Sequence, residues 1–194
     1  ASTRCPGKVM APLCGIPMVG HCYHRARLAK GIAASYVATC DEEIYNYIES
    51  IGGRIVMTSD NHARASDRCA EALLIIEQED NIKFDIVVMV QGDEPMIHPD
   101  MISEAVSPML DDSKILITNL LGKIESKEEF EDRNCIKVVC DLNSNALYFS
   151  RTAIPFKNQD KTEIPMLKQV CIIPFRRDFL ITFNSLDETP LEII

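Results

Sequence analysis

Near the start of the chain, Ser2-Thr3-Arg4-Cys5-Pro6-Gly7-Lys8 sets two cations four positions apart around a Pro-Gly bend. Such a bend exposes backbone N–H groups, and amides, hydroxyls and two positive charges together can hold a triphosphate. The same residues also suit a solvated basic terminus, so the segment decides nothing alone. A second segment adds weight. Gln91-Gly92-Asp93-Glu94-Pro95 follows directly on the apolar run DIVVMV, which delivers Asp93 to the carboxyl edge of a sheet, where open α/β folds bind ligands. Mg²⁺ takes one or two carboxylates together with phosphate oxygens and water, so Asp93 suits the protein anchor of a nucleotide's metal. Gly92 allows close backbone approach, and Gln91 offers both a donor and an acceptor. Taken by itself, Asp-Glu-Pro is equally well a turn leaving a strand.

Other elements must bring these segments to one edge. Short β-rich runs alternate with helix-patterned stretches through the first half of the chain, the order of an α/β fold with a mostly parallel sheet. The pattern predicts helices near 17–30, 42–51, 66–78 and 99–109, and strands over 35–38, 54–57 and 85–90. The last strand is apolar almost throughout, as expected at a sheet centre covered on both faces. Asp41 is placed to cap the helix EEIYNYIESIG, and Gly52 with Gly53 to end it. After about residue 113 the pattern turns strand-rich: ILITNL, CIKVVC and ALYFS are short runs, the latter two joined by the hairpin signal DLNSN. KNQDKTE at 157–163 reads as a loop.

Composition narrows the function classes. The 194 residues are 46% hydrophobic and 25% charged, ordinary for a globular chain that buries roughly 70% of its unfolded surface without metal or disulfide staples. Lys and Arg total 20 against 29 Asp and Glu, a net charge of -9. That argues against broad electrostatic capture of nucleic acid or an anionic membrane, so positive charge toward a polyanion must be local or carried by a cation. No apolar run approaches the roughly 20 residues of a membrane span. The eight cysteines lie in apolar stretches with no C-x-x-C, as expected of reduced, mostly buried thiols in a cytoplasmic protein. His21 and His24 lack a partner at metal-ligand spacing and read as surface or half-buried residues. His62 and His98 lie beside the candidate site and are candidates for ligand contact.

Four blocks, STRCPGK with GIPM, MTSDNHARASDR, VQGDEP and ALYFSRTAIP, occur in an order and spacing that resembles the 3-deoxy-manno-octulosonate (Kdo) cytidylyltransferases across nearly the whole chain. The resemblance implies a Rossmann-like, three-layer nucleotidyltransferase fold with a smaller strand-rich region. It implies one domain over 1–194, with a nucleotide-binding part at about 1–112 and a sugar-binding and dimerisation part at about 113–194. The activity implied is Mg²⁺-dependent transfer of CMP from CTP to an acidic 3-deoxy-ulosonic sugar, Kdo first, releasing pyrophosphate for lipopolysaccharide synthesis, in a cytoplasmic homodimer. Carried over by position, Ser2, Arg4 and Lys8 fall on the family's nucleotide and phosphate loop, Arg68 and Gln91 on the nucleotide side, and Asp93 on a metal ligand. Lys8, Arg4 and Asp93 are the catalytic candidates, because attack on the α-phosphorus builds negative charge that cations must neutralise. Arg151, Gln169 and Glu192 fall on the sugar side, and Glu192 also fits N3 of a capping box begun by Thr189 and Pro190.

This chain also departs from the family pattern. Ala63-Arg64-Ala65-Ser66 stands where the family carries Gln-Ser-Gly-Thr, and Cys5 stands for a leucine. Gln169 stands for a histidine and Ile173 for a tyrosine, which removes a titratable group and a hydroxyl from the sugar side. An amino-Kdo or a nine-carbon sialic-type acid is therefore the alternative substrate, and a non-catalytic cytidine-binding remnant the alternative of another class. Both ends read as cut. The resemblance implies a longer enzyme of roughly 240 to 260 residues, with a strand before the STR loop and a second metal ligand after Ile194.

Overall fold

A computed structural model describes residues 7–156, 165–187 and 189–190. In chain order it begins with a single 3-10 turn (Lys8–Met10), a small hairpin of β1 (Pro12–Leu13) and β2 (Ile16–Pro17), and α1 (Met18–Ala26). Strands and helices then alternate as β3 (Val37–Thr39), α2 (Glu42–Ser50), β4 (Ile55–Met57), α3 (Ala65–Glu79), β5 (Ile86–Val90) and α4 (Pro99–Asp111). The second unit, Asn119–Cys171, holds β6 (Leu120–Lys123), α5 (Lys127–Glu131), β7 (Lys137–Cys140), β8 (Ala146–Ser150) and β9 (Leu167–Val170). From Ile172 the chain rejoins the first unit as β10 (Ile172–Arg176) and α6 (Arg177–Asn184).

The four predicted helices form, and their ends have local causes. The Asp41 carboxylate accepts the N–H groups of Glu43 and Ile44, two donors that the first turn of α2 leaves open. Gly52 stops that helix at φ 68°, in the left-handed region that glycine enters without strain. Gly53 is needed for a different reason: a Cβ there would lie 2.9 Å from the Ile48 carbonyl oxygen, a backbone atom that cannot swing aside. Around this corner Val19, Tyr23 and Ile48 form one core cluster, and Tyr23 turns its hydroxyl to accept the Arg54 N–H at 2.9 Å.

β3 and β4 form a parallel pair, with Val37 opposite Ile55 and Thr39 opposite Met57. β5 pairs antiparallel with β10, from Val90 opposite Ile172 to Ile86 opposite Arg176. In β5 Met89 is buried and its neighbours are half-buried. Met89 and Phe175 from this pair join Ala70 and Leu73 of α3 and Leu180 of α6 in a second core cluster. The helices are tied as well as packed: the Arg177 guanidinium donates to both Glu77 carboxylate oxygens, and Asn184 Nδ2 donates to the Ser66 carbonyl at 3.0 Å.

In the second unit the sheet order is β6-β9-β7-β8, every pair antiparallel. The DLNSN hairpin forms as expected: one Asp141 oxygen accepts the N–H groups of Asn143 and Asn145 at 2.8 Å each, and Ser144 takes φ 64°. Lys137 is the unusual interior residue. It is fully buried, and its ammonium donates to the carbonyls of Asp132, Cys135 at 2.8 Å and Arg151 at 3.0 Å. Three donors meeting three acceptors satisfy a charge that burial would otherwise penalise heavily.

Several expectations need correction. The strand-rich region spans 119–171, narrower than 113–194, because β10 and α6 belong to the first unit. ILITNL is no strand over its length: Ile117 makes one isolated bridge to Phe175, and β6 starts only at Leu120. The thiols are free but less buried than expected. Of the described cysteines only Cys22 is buried, Cys14 and Cys40 are exposed, and the rest are intermediate. The loop expected at 157–163 lies outside the described residues.

Candidate active site

The candidate residues of the first unit gather near its strand ends. The Thr58 N–H donates to the Thr39 carbonyl at 2.8 Å, extending the β3–β4 ladder to the loops that follow both strands. α3 then runs back along this edge, its start closed by Asp67, which accepts the Arg64 N–H and pairs with the Arg64 guanidinium. One turn along, Arg68 Nη1 donates to Thr58 Oγ1 at 2.5 Å and to the Ser59 carbonyl at 3.2 Å. Arg68 is thus set against the loop after β4. His62 does not stand free for a ligand: its Nε2 pairs with the Glu71 carboxylate.

The turn after β5 holds the second group. The Gln91 carbonyl accepts the Glu94 N–H at 3.3 Å, and the tight turn so closed presents Asp93. The Asp93 carboxylate forms an ion pair with Lys8 Nζ, both side chains about a third exposed, at 36% for Lys8 and 29% for Asp93. Gly7, at φ 72°, makes the bend that launches Lys8. Two segments 85 positions apart in sequence therefore meet. The turn is anchored from α1 by Arg25, which donates to the Ile97 carbonyl at 3.2 Å. Cys22 packs beneath it; burial pushes its thiol up to about 11 despite the Glu94 amide, and the nearby Asp93 charge adds to the rise. A thiol held protonated is packing, not a nucleophile. An added Cβ on Gly92 would sit in ordinary contact, 3.8 Å from Val19, so the fold itself does not demand glycine there.

Asp93 offers a carboxylate that would suit a divalent cation carried by a nucleotide, and Lys8 a positive charge for the nucleotide's phosphates. Among the described residues no three His, Cys, Asp or Glu side chains gather as a protein cage. A single carboxylate at a strand end, open to solvent beside a lysine, is the donor set that leaves room for phosphate oxygens and water around Mg²⁺.

The remaining candidates divide. Arg151 follows β8 in the second unit, where its guanidinium donates to the Arg133 carbonyl at 3.1 Å and its own carbonyl accepts Lys137. Gln169 lies in β9 opposite Leu121, its N–H donating to the Ile136 carbonyl at 2.8 Å. Ser2, Arg4 and Glu192 lie outside the described residues, so of the helix start expected at Thr189 to Glu192 only Thr189 and Pro190 are described. His98 is a helix cap: its Nδ1 accepts the Asp100 N–H at 3.3 Å, and Pro99 occupies the first helical position. Sequence reasoning missed Thr58, Ser59 and Glu71. Glu71 stands three positions after Arg68 on α3, a spacing that puts both on one helix face, and that signal was available.

The chain matches the cytidylyltransferase family model over residues 1–194. It is 39% identical over 192 residues to the 3-deoxy-manno-octulosonate cytidylyltransferase of Syntrophus aciditrophicus, covering 99% of this chain and 76% of that protein. To the 8-amino-3,8-dideoxy-manno-octulosonate cytidylyltransferase of Shewanella pealeana it is 42% identical over 192 residues, 98% of this chain and 77% of that protein. Among solved structures, a CMP:2-keto-3-deoxy-manno-octonic acid synthetase complexed with CTP superposes with a TM-score of 0.85 at 34% identity, over 100% of this chain and 77% of that one. A family match along the whole sequence, a shared fold and the meeting of Lys8 with Asp93 agree, and the chain belongs to the cytidylyltransferase family.

Proposed function

We propose that the protein transfers CMP from CTP to a 3-deoxy-ulosonic acid, Kdo favoured, and releases pyrophosphate, supplying activated sugar for lipopolysaccharide synthesis. The observation that carries this reading is the Lys8–Asp93 pair in a chain whose fold matches a synthetase complexed with CTP. The anomeric hydroxyl of the sugar attacks the α-phosphorus, the bond to the β-phosphate oxygen breaks, and pyrophosphate leaves. Lys8 and Arg4 neutralise the charge that builds on the phosphoryl and pyrophosphate oxygens. Ser2, Arg68 and Gln91 hold the nucleotide, and Arg151, Gln169 and Glu192 the sugar. Asp93 would hold Mg²⁺, which would supply further charge neutralisation at the phosphates. Little covalent chemistry is asked of the protein; position and electrostatics do the catalysis.

The enzyme works in the cytoplasm, where CTP is available, and as a homodimer. Exposed Leu147, Tyr148 and Phe149 on the edge strand β8 support a self-association surface. An 8-amino Kdo analogue is the second reading, favoured by the 42% identity to an enzyme named for that sugar and by Gln169 at the position of the family's histidine. A pyrophosphate-release assay with CTP and a panel of Kdo, 8-amino-Kdo and sialic-type acids tests the proposal. Sugar-dependent release with one of the eight-carbon acids is expected. Release with none of the panel, at saturating CTP and Mg²⁺, rejects it and leaves a cytidine-binding protein.

A further inference from the structure

Glu71 gathers the loop after β4 at one carboxylate. Its Oε2 accepts the Ser59 N–H at 2.9 Å and also meets His62 Nε2. Arg68, one turn earlier on the same helix, takes the other side of the same residue by donating to the Ser59 carbonyl, and reaches Thr58 Oγ1 as well. Ser59 is thereby held at both of its peptide groups, its N–H by Glu71 and its C=O by Arg68. The loop has a further internal tie, from the Asn61 N–H to Ser59 Oγ at 3.2 Å. The His62 bond, opposed by burial and helped by the Ser59 amide and the Arg68 charge, keeps the Glu71 carboxyl below the ordinary glutamate range. Glu71 is thus the ionised acceptor that this pair of donors requires.

Arg68 depends on that loop for its aim. Both of its bonds leave from Nη1, so among the described residues Nη2 and Nε have no protein partner and can face an anionic ligand. A guanidinium on a flexible stem binds well only if its fork is already held, because ordering it at the moment of binding costs entropy. The acceptors that hold Nη1 belong to Thr58, which the Thr39 carbonyl already fixes, and to Ser59, whose N–H is held by Glu71, itself paired with His62.

We propose that Glu71 and His62 are positioning residues for the nucleotide: they fix the 58–62 loop so that Arg68 is preset for CTP. This rests on the reading that Arg68 contacts the nucleotide, and the test separates the two. CTP affinity is measured by calorimetry for the wild type, Arg68→Ala, Glu71→Ala, Glu71→Gln and the Arg68→Ala, Glu71→Ala double variant, with KM for each substrate and kcat alongside. Glu71→Ala is expected to weaken CTP binding about tenfold and to raise KM for CTP, with KM for the sugar acid unchanged. Glu71→Gln keeps an acceptor oxygen for the Ser59 N–H and recovers part of the loss. The double variant binds CTP no more weakly than Arg68→Ala alone, because Glu71 acts through Arg68.

Wild-type CTP affinity in Glu71→Ala, with Arg68→Ala impaired, overturns the proposal while leaving the nucleotide reading intact. So does full additivity in the double variant, which would make Glu71 an independent contributor. Unchanged CTP affinity in Arg68→Ala rejects the nucleotide role of Arg68 and the proposal with it. If Glu71→Ala does not fold, His62→Ala carries the same comparison: a higher KM for CTP with that for the sugar unchanged supports the positioning role, and equal rises in both KM values oppose it.

Discussion

The two units hold their cations in different ways. In the first, Lys8 pairs with a carboxylate, and Arg68 spends only part of its fork on a threonine hydroxyl and one carbonyl. Lys8 is partly exposed, and a phosphate can replace the partner it has. In the second, Lys137 is sealed from solvent and donates to three main-chain carbonyls. Those acceptors are part of the fold and cannot leave. The comparison separates a charge left partly open to solvent, as the proposed ligand role needs, from a charge spent on architecture, and side-chain type alone does not distinguish the two.

Substitutions sharpen that contrast, and the largest effect should come from the architectural lysine. Lys137→Met takes one donor from each of three carbonyls, and at the low end of about 1 to 3 kcal/mol each a destabilisation of about 3 to 5 kcal/mol is expected in denaturant melts, with CTP affinity unchanged in whatever folds. Wild-type stability would break the comparison from that side. Asp93→Asn should do the opposite, leaving the melting temperature nearly intact and cutting turnover at least about 100-fold, or nearly 3 kcal/mol of barrier. Near-normal turnover at saturating Mg²⁺ would remove Asp93 from the site. Lys8→Ala is expected to lose about 30-fold in kcat, again without loss of stability; a drop in melting temperature with unchanged kinetics would class it with Lys137.

A smaller effect is expected at Glu77, whose side chain is only 6% exposed where it meets Arg177. The Arg177 hydrogen bonds, against burial, hold this carboxyl below the ordinary glutamate range. A depressed folded-state value adds stability that is present above the usual glutamate range and is lost as pH falls through the folded value. Glu77→Gln should therefore cost about 1 kcal/mol at pH 7 and flatten the fall of melting temperature on acidification. An identical acid profile in the variant would dismiss the linkage. The smallest change concerns Gln169→His, expected to shift the ratio of kcat/KM for Kdo over 8-amino-Kdo by only a few-fold, a difference of about 1 kcal/mol or less. An unchanged ratio would place sugar choice elsewhere.

Local signals in the sequence were read well where local chemistry decides the structure. Asp41 caps α2, Gly52 ends it, and Asp141 closes the β7–β8 turn, each through atoms within five positions. Lys8 and Asp93 were each singled out by residue type and neighbours, and their meeting depended on the strand–helix alternation between them. Long-range pairing was opaque. β10 carries Pro174 and only five residues, so nothing local says that it returns to pair with β5 some 80 positions earlier. The same blindness ran the strand-rich region on to the chain end. His98 drew attention as a ligand candidate, although His-Pro-Asp at a helix start already carried the cap signal of proline at the first position. Glu71 was passed over because an acidic residue on a helix is usually solvated, and its role appears only once the loop after β4 is seen folded back on α3.

The most direct test follows the α-phosphorus of CTP by ³¹P NMR while the protein turns over Kdo and CTP with Mg²⁺. The account predicts that the α-phosphorus moves into a phosphodiester linking cytidine to the sugar, with one pyrophosphate formed per sugar consumed, and that Asp93→Asn nearly abolishes both signals. Accumulation of CDP with inorganic phosphate, or of free CMP without a sugar linkage, would contradict transfer of CMP at the site formed by Lys8 and Asp93.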